Sequence, residues 1–413
     1  MENKTLSAKL NPYAWLVVGL LWIVAFLNYL DRILITSMRD PIVADFGLTD
    51  AQFGLLTSVF LWSYGFLSPF GGYFADRYSR KQVIVFSVFI WSAVTLWTGY
   101  ATSFGEMLTA RLLMGVSEAC YIPAALALIT DYHRGRTRSL ATGLHMTGLY
   151  AGLALGGLGG YIAEAYGWRA GFHLFGAIGI VYALILAYFL KDNRNTGGEE
   201  EQHSAQPVSV SGALSNLFSA RSFYILLLYF AVLGMVNWLV YGWLPTFLKE
   251  HFSLDLGEAG ISATGYIQVG SFAGVLLGGF IADRWTAINP RGRLYMVIIG
   301  FLIGAPFLYL MASTGVFAIA IVAMLFFGLA RGFNDANLMP ILRQVADGRY
   351  VATGYGFLNF LSTIIGGLMV YVGGALKDAQ IDLSVIYQVS AVAMLLATLS
   401  LFAVKIKKSI NSQ

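Results

Sequence analysis

Charged residues and cysteines are both scarce in this chain of 413 residues. Only 12% of its residues are Asp, Glu, Lys or Arg, whereas soluble domains carry about a quarter. The single cysteine, Cys120, excludes an intramolecular disulfide and any metal site built on several cysteines. The formal net charge of +4 needs no nucleic-acid partner to explain it. The composition is therefore not that of an ordinary soluble domain.

Catalytic and phosphate-binding motifs are absent as well. The sequence contains no H-E-x-x-H pair, no nucleophile elbow and no phosphate-binding loop. Neither ATP-driven transport nor a membrane enzyme has support from such a sequence. We expect no enzyme activity, no cofactor and no bound metal.

Long apolar stretches make up most of the chain. Apolar residues account for 57% of it and the mean hydropathy is +0.68. A hydrocarbon core about 30 Å thick needs about 20 apolar residues per helix. Twelve stretches meet this requirement, near 14–36, 52–75, 82–101, 105–130, 138–162, 169–190, 221–248, 258–282, 294–313, 316–342, 351–376 and 382–404. The sequence thus predicts an all-α membrane protein with twelve transmembrane helices.

One short string occurs twice between these stretches. G-Y-F-A-D-R-Y-S-R-K begins at Gly72, and G-F-I-A-D-R begins at Gly279. A turn repeated once per half of the chain predicts two related bundles of six helices and favours a transporter. We expect an N-terminal bundle at 1–190 and a C-terminal bundle at 221–413. The polar stretch 191–220 is expected to be a cytoplasmic linker whose last residues are able to form an interfacial helix.

Lys and Arg cluster on one side of the predicted membrane. They occupy the loops and the tail at Arg77, Arg80, Lys81, Arg134, Arg136, Arg138, Lys405, Lys407 and Lys408. The positive-inside rule therefore predicts that both termini are cytoplasmic. The first apolar stretch is too long for a cleavable signal peptide and lacks a cleavage pattern. We expect a multi-pass protein of a bacterial inner membrane, functional as a monomer, with the lipid bilayer, protons and a small molecule as its partners.

The repeated turn carries a known family signature. The first copy supplies Gly72, Ala75, Asp76, Arg77, Arg80 and Lys81 of the pattern G-x-L-A-D-R-x-G-R-K, with Ser79 in place of the second glycine. A second signature, R-x-x-x-G, lies in the fourth stretch at Arg111 and Gly115. The chain resembles the major facilitator superfamily over nearly its whole length. This implies alternating access, with gating residues at Asp76, Arg77, Arg80, Arg111, Asp283 and Arg284.

Ionisable residues within the spans are costly and are candidates for function. Glu118 precedes Pro123 by five residues, and Asp335 precedes Pro340 by the same spacing, so the two spans are repeat partners. Asp31 and Arg32 of the first span have no charged counterparts in the second half. We predict proton coupling at Asp31 and Glu118. A static ion-pair network that braces the bundle is the alternative.

The two remaining arginines of interest leave alternatives open. Arg32 is able either to pair with Asp31 or to hold the carboxylate of an anionic cargo. Arg331 lies one helical turn from Asp335, which allows an internal salt bridge or a cargo contact.

The N-Y-L-D-R string with a glutamate in span four resembles the anion:cation symporters of sugar acids, and it is similar to the spinster-like lipid carriers. Leu153 stands where antiporters of the superfamily often have a proline, which favours symport.

Polar and aromatic residues in the middle of the spans are expected to line a central cavity. The predicted cargo contacts are Arg32, Tyr29, Tyr121, His145, Asn237, Tyr241, Arg331, Asn334, Asp335 and Asn337, with Trp238, Gln268 and Asn359 nearby. Rings that stack on sugars and amides that bond hydroxyls suit a sugar acid. The sequence thus predicts a proton-coupled symporter of a small polar organic anion. A symporter of a neutral sugar or amino sugar and a spinster-like lysolipid carrier are the alternatives.

Overall fold

The computed structural model describes residues 12–133, 137–192, 210–347 and 350–406. This part of the chain is helical throughout and contains no strand. An apolar segment in lipid must satisfy its own backbone hydrogen bonds, which a helix does internally. The helices are α1 (Pro12–Leu34), α2 (Arg39–Phe46), α3 (Asp50–Arg77), α4 (Arg80–Tyr100), α5 (Phe104–Glu118), α6 (Tyr121–Tyr132), α7 (Arg138–Leu155), α8 (Leu158–Tyr166), α9 (Trp168–Phe189), α10 (Val210–Ser219), α11 (Arg221–Phe252), α12 (Leu256–Ile288), α13 (Gly292–Ser313), α14 (Phe317–Val345), α15 (Val351–Asp378) and α16 (Leu383–Ser400).

Each of the twelve predicted spans corresponds to one helix or to a pair of helices in series. Eleven segments of the described chain are long and apolar enough to cross a membrane. The remaining predicted span, 138–162, is divided between α7 and α8 and is rich in glycine. The all-helical architecture predicted from the sequence is confirmed.

The fourth span is divided where its partner in the second half is continuous. Helix α5 ends at Glu118 and α6 begins at Tyr121. Pro123 has no N–H to donate to the carbonyl of Ala119, which favours a break at this point. Helix α14 carries Pro340 at the equivalent position and runs unbroken to Val345.

We use N-half for the described residues up to 192 and C-half for those from 210 onward. The basic end of the molecule holds the turns at 78–79 and 289–291, and the opposite end holds those at 47–49 and 253–255. Contacts between the halves are concentrated toward the opposite end. There Asp378 accepts hydrogen bonds from the backbone N–H groups of Asp50 (2.8 Å) and Ala51 (2.9 Å), and Lys249 pairs with Asp40. These contacts join the two halves across that end.

Close backbone packing closes the same end further. A Cβ atom on Gly157 would lie 2.2 Å from the carbonyl oxygen of Gly260, so only glycine fits there. Nearer the middle, Asp335 of α14 is exposed and Tyr355 of α15 is 39% exposed, although both lie within spans. Because the exposed Asp335 also contacts the Tyr150 hydroxyl of the N-half at 3.3 Å, accessible space lies between the halves at this level. We interpret this space as closed at the opposite end and open toward the basic end.

Candidate functional site: a charged cavity between the two halves

The N-half contains a buried ion pair between its first and fourth spans. Arg32 donates from Nε to Oε2 of Glu118 at 2.6 Å, and neither side chain is more than 2% exposed. Glu118 is the last residue of α5, directly before the helix break, and its carboxylate reaches Arg32 of α1. Removing one partner of such a buried pair leaves an uncompensated charge, so the pair holds the two spans together.

Aromatic rings surround the Arg32 guanidinium. Its central carbon lies 4.5 Å from the ring centroid of Tyr29, 4.3 Å from that of Tyr64 and 5.3 Å from that of Phe60. Desolvated contacts between a cation and aromatic rings are stabilising. With Glu118 on one side and rings around it, Arg32 is fixed within the N-half rather than free in the cavity.

Asp31 points away from Arg32, toward α4. Its Oδ2 accepts a long hydrogen bond of 3.4 Å from the Thr95 hydroxyl, and its Oδ1 has no hydrogen-bond partner. No cation of the described chain lies within ion-pair distance of Asp31, although the buried Arg111 interacts with it electrostatically. Asp31 is therefore a buried carboxylate without a dedicated counter-charge.

The C-half presents its own cation at the cavity. Arg331 of α14 donates to the Tyr241 hydroxyl of α11 and lies over that ring at 4.9 Å. Gln268 of α12 donates to the same hydroxyl at 2.9 Å. Within the described residues Arg331 has no carboxylate partner, so its charge is not neutralised by an ion pair.

Asp335 lies one turn along α14 and faces the cavity. It accepts hydrogen bonds of 3.3 Å from the Tyr150 hydroxyl of the N-half and from the Asn334 amide. Asn334 in turn accepts from the buried Tyr229 at 3.0 Å. The two bonds to Asp335 are long, and its carboxylate remains exposed.

Two pairings that the sequence allows are not formed. Arg32 pairs with Glu118 and not with Asp31, because adjacent residues of a helix point in directions about 100° apart. Arg331 and Asp335 form no ion pair, because Arg331 is turned toward Tyr241 on α11. A spacing of four residues permits a salt bridge but does not require one.

Three predicted cargo contacts lie inside the helix packing and not at the cavity. Tyr121 is buried and donates to the Leu21 carbonyl at 2.8 Å, and His145 packs against its ring. Asn337 is buried and donates to the Phe333 carbonyl at 2.9 Å. Polar side chains facing neighbouring helices look the same in sequence as those facing a cavity. Asn237 is half-buried beside Trp238 in α11, and its Oδ1 has no partner.

The predicted gating residues lie near helix ends at the basic end, apart from Arg111. Arg80 pairs with Asp131 of α6, and Asp283 pairs with Arg293 of α13, so each pair stays within its own half. Ser79, which replaces the glycine of the signature, accepts from the backbone N–H of Gln82 and caps α4. Two more of the predicted gating residues have described contacts. Arg77 donates to the Tyr73 hydroxyl at 3.4 Å, and the Arg284 guanidinium lies over the ring of Phe280.

The side chain of Asp76 lies outside what the structure describes, and its latch role stays a prediction. Arg111 is not at the basic end: it is buried in the N-half, where its Nε donates to the Leu56 carbonyl at 3.3 Å. This contact joins α5 to α3. The structure thus places Arg111 beside the buried acids rather than at a gate.

Sequence reasoning missed two tyrosines of the cavity, Tyr150 and Tyr355. Tyr150 interacts electrostatically with Asp335 and Arg331, and Tyr355 with Asp335 and with Tyr64 of the other half. Tyr150 stands in the glycine-rich fifth span, a context typical of close helix packing. A tyrosine within a membrane span has no sequence mark that separates a cavity position from a lipid-facing one. Asp131, the partner of Arg80, was missed as well. It lies near the end of α6, where a charged residue is common and does not by itself indicate a function.

The fold and the site together define a class of protein. Two sets of membrane-spanning helices enclose a cavity that holds a cation and carboxylates and is closed at one end, which is the architecture of a secondary transporter. A family model described as Major Facilitator Superfamily matches residues 21–371. The chain therefore belongs to that superfamily, as its repeated turn predicts.

Two relatives and one solved structure are similar over most of the chain. The probable sulfoacetate transporter of Cupriavidus necator is 26% identical, with 86% of this chain and 87% of the relative covered. The D-galactonate transporter of Escherichia coli is 26% identical, with 96% of each chain covered. A bacterial homologue of the human lysosomal transporter Spinster, solved in an inward-facing and unoccupied conformation, superposes with a TM-score of 0.76 at 23% identity, covering 95% of this chain and 96% of that one. The superposition shows the same fold.

Proposed function

We propose that this protein is a proton-coupled symporter of a small polar organic anion, such as a sugar acid. The observation that carries the proposal is Arg331, a cation at the cavity with no carboxylate partner in the described chain. A cation within a membrane span is costly unless it meets a counter-charge. The carboxylate of a cargo supplies that charge when it enters the cavity, and the planar guanidinium suits its two oxygens.

The other residues at the cavity suit a hydroxylated molecule. Tyr29, Tyr150 and Tyr241 supply ring faces and hydroxyl groups around Arg331, and Tyr355 lies near Asp335. Rings and a few well-placed polar groups are typical of small-molecule sites. Relatives named for D-galactonate and sulfoacetate transport support an organic acid as the cargo class.

Asp31 is the proposed proton site. An ionised carboxylate that is buried with an unpartnered oxygen is costly, and a bound proton removes that charge. Glu118 has Arg32 as its counter-charge, so it is better suited to transmit the change than to bind the proton alone. Proton binding at Asp31 would leave the three buried arginines with one positive charge in excess, which the anionic cargo balances.

Transport would proceed by alternating access between the halves, which we take as units at 1–190 and 221–413. With the basic end in the cytoplasm, as the positive-inside rule predicts, the structure is the state open to the cytoplasm. The next state requires the contacts of Asp378 and Lys249 at the opposite end to break. The proposed location is a bacterial inner membrane.

Uptake into proteoliposomes tests the proposal. Labelled D-galactonate, D-galactose and a lysophospholipid would each be offered with an inward proton gradient, without a gradient and with a protonophore. We expect accumulation of the acid that depends on the gradient, and none of the two other compounds. The exposed Asp255→Asn variant, altered at a residue far from the cavity, serves as a matched control. Gradient-driven uptake of galactose or lysolipid in place of any organic acid would contradict the proposal.

A further inference from the structure

The second charge at the cavity, Asp335, has no part in the function proposed above. We infer that it sets the charge of the cargo, admitting an acid with one carboxylate and rejecting an acid with two. The inference rests on the proposed function, since it assumes that an organic acid binds at Arg331. It adds a residue that determines specificity within that class.

The position of Asp335 supports this role. It follows Arg331 by four residues on α14, a spacing that places the two side chains on one face, about 6 Å apart at Cβ. Both approach the cavity, but Arg331 is held by Tyr241 while Asp335 is exposed. When a cargo carboxylate is bound at Arg331, the remaining part of the cargo therefore lies within reach of Asp335.

The balance of charges within the spans points the same way. The Asp, Glu, Lys and Arg residues in the middle of the described spans are three acids and three bases: Asp31, Glu118, Asp335, Arg32, Arg111 and Arg331. Glu118 and Arg32 neutralise each other as a buried pair. One proton on Asp31 then leaves an excess of one positive charge, which a single carboxylate balances. A second carboxylate would face Asp335 with no cation left for it.

Chemistry at Asp335 also favours a hydroxyl over an anion. An ionised carboxylate only accepts hydrogen bonds, and the bonds that it accepts from Tyr150 and Asn334 are both 3.3 Å long. A cargo hydroxyl can donate to it, whereas a second cargo carboxylate is repelled. Repulsion between like charges a few ångströms apart in a partly dry site corresponds to at least about tenfold in affinity. We accordingly expect that sulfoacetate, which has two acidic groups, is not a cargo of this protein.

Binding affinities of two matched pairs of acids for the purified protein test the inference. D-Galactonate and galactarate share a six-carbon chain and differ only in a terminal hydroxymethyl or carboxylate. 4-Hydroxybenzoate has a ring hydroxyl at the position where terephthalate has its second carboxylate. We expect calorimetric titration to show that the monoacid of a binding pair is favoured by about tenfold or more. Asp335→Asn should reduce that ratio to about threefold or less, whereas Asp335→Glu and Asp255→Asn should keep it.

The outcomes separate the two proposals. Equal binding of mono- and diacid by the unaltered protein overturns the inference while leaving an organic-anion carrier in place. A preference that persists in Asp335→Asn overturns it too, provided that the variant still binds the monoacid. If none of the four acids binds at millimolar concentration, the proposed function fails, and the inference fails with it.

Discussion

The two acids that precede a proline in spans four and ten occupy equivalent positions and opposite environments. Glu118 is fully buried and paired with Arg32, whereas Asp335 is exposed at the cavity and unpaired with the arginine on its own helix. At these equivalent positions the N-half neutralises its acid internally, and the C-half leaves its acid available at the cavity. The same sequence pattern thus gives a buried, neutralised acid in one half and an exposed acid in the other.

The local helix geometry accounts for part of this difference. The break after Glu118 lets that residue turn toward α1, where Arg32 stands. Helix α14 continues without a break past the equivalent proline, and Asp335 lies within it. The second half also has Val240 and Tyr241 where the first has Asp31 and Arg32, so no partner from α11 reaches Asp335.

Exchanging the two acids for amides should show the largest difference between the halves, in the free energy of unfolding. Glu118→Gln leaves Arg32 buried without its counter-charge, and we expect a loss of about 3 kcal/mol or more in the free energy of unfolding. Asp335→Asn, at the equivalent position, should cost less than about 1 kcal/mol, because its carboxylate is exposed. Thermal unfolding in one detergent compares the variants. Equal losses of unfolding free energy in the two variants would contradict the difference in burial and pairing between Glu118 and Asp335.

Asp31→Asn tests whether coupling belongs to the N-half alone. We expect uphill uptake driven by a proton gradient to be abolished, because the amide cannot bind and release a proton, while exchange of cargo across the membrane persists. Asp335→Asn, which alters the proposed cargo site, should still accumulate D-galactonate in response to the gradient, and Asp255→Asn, altered far from the cavity, is the neutral control. Counterflow and uptake in proteoliposomes measure the two activities. Normal accumulation by Asp31→Asn would remove this residue from the coupling mechanism.

Arginine-to-lysine changes compare the cations of the two halves by their effect on cargo affinity. Arg331→Lys should weaken binding of a carboxylate cargo by about tenfold, because an ammonium loses the bidentate geometry. Arg32→Lys should alter affinity less, because the Arg32 guanidinium is engaged by Glu118 and the rings of Tyr29 and Tyr64. Calorimetric titration with D-galactonate gives both affinities. The reverse order would assign the cargo carboxylate to Arg32.

Changes to the ion pairs at the basic end should give the smallest effects. Asp131→Asn and Asp283→Asn each remove one ion pair, to Arg80 and Arg293 respectively. The Asp283 side chain is 66% exposed and that of Asp131 only 23%, and exposed pairs contribute about 0.2–1 kcal/mol. We expect less than about threefold change in uptake rate, with Asp131→Asn the more affected variant. A larger effect of Asp283→Asn would show a role that its exposure does not predict.

The sequence predicted several features of the site and missed others. The intramembrane positions of Asp31, Glu118 and Arg331 follow from apolar flanks, and the structure places all three within spans. The pairing of Arg32 was open between Asp31 and an external anion, and the structure gives Glu118 instead. That partner lies 86 residues away along the chain, and spacing along one helix carries no information about the side chains of another.

What the sequence determined by itself is the class of the protein: long apolar stretches dictate helices that cross a membrane, and a repeated turn marks two related sets of them. The family signatures fixed the superfamily. Only the tertiary structure decided which polar residues meet: Tyr121, His145 and Asn337 pack inside, whereas Tyr150, Asp335 and Tyr355 reach the cavity. The reason is physical. Hydropathy acts on each segment separately, but the direction in which a side chain points depends on how neighbouring helices rotate and pack against each other.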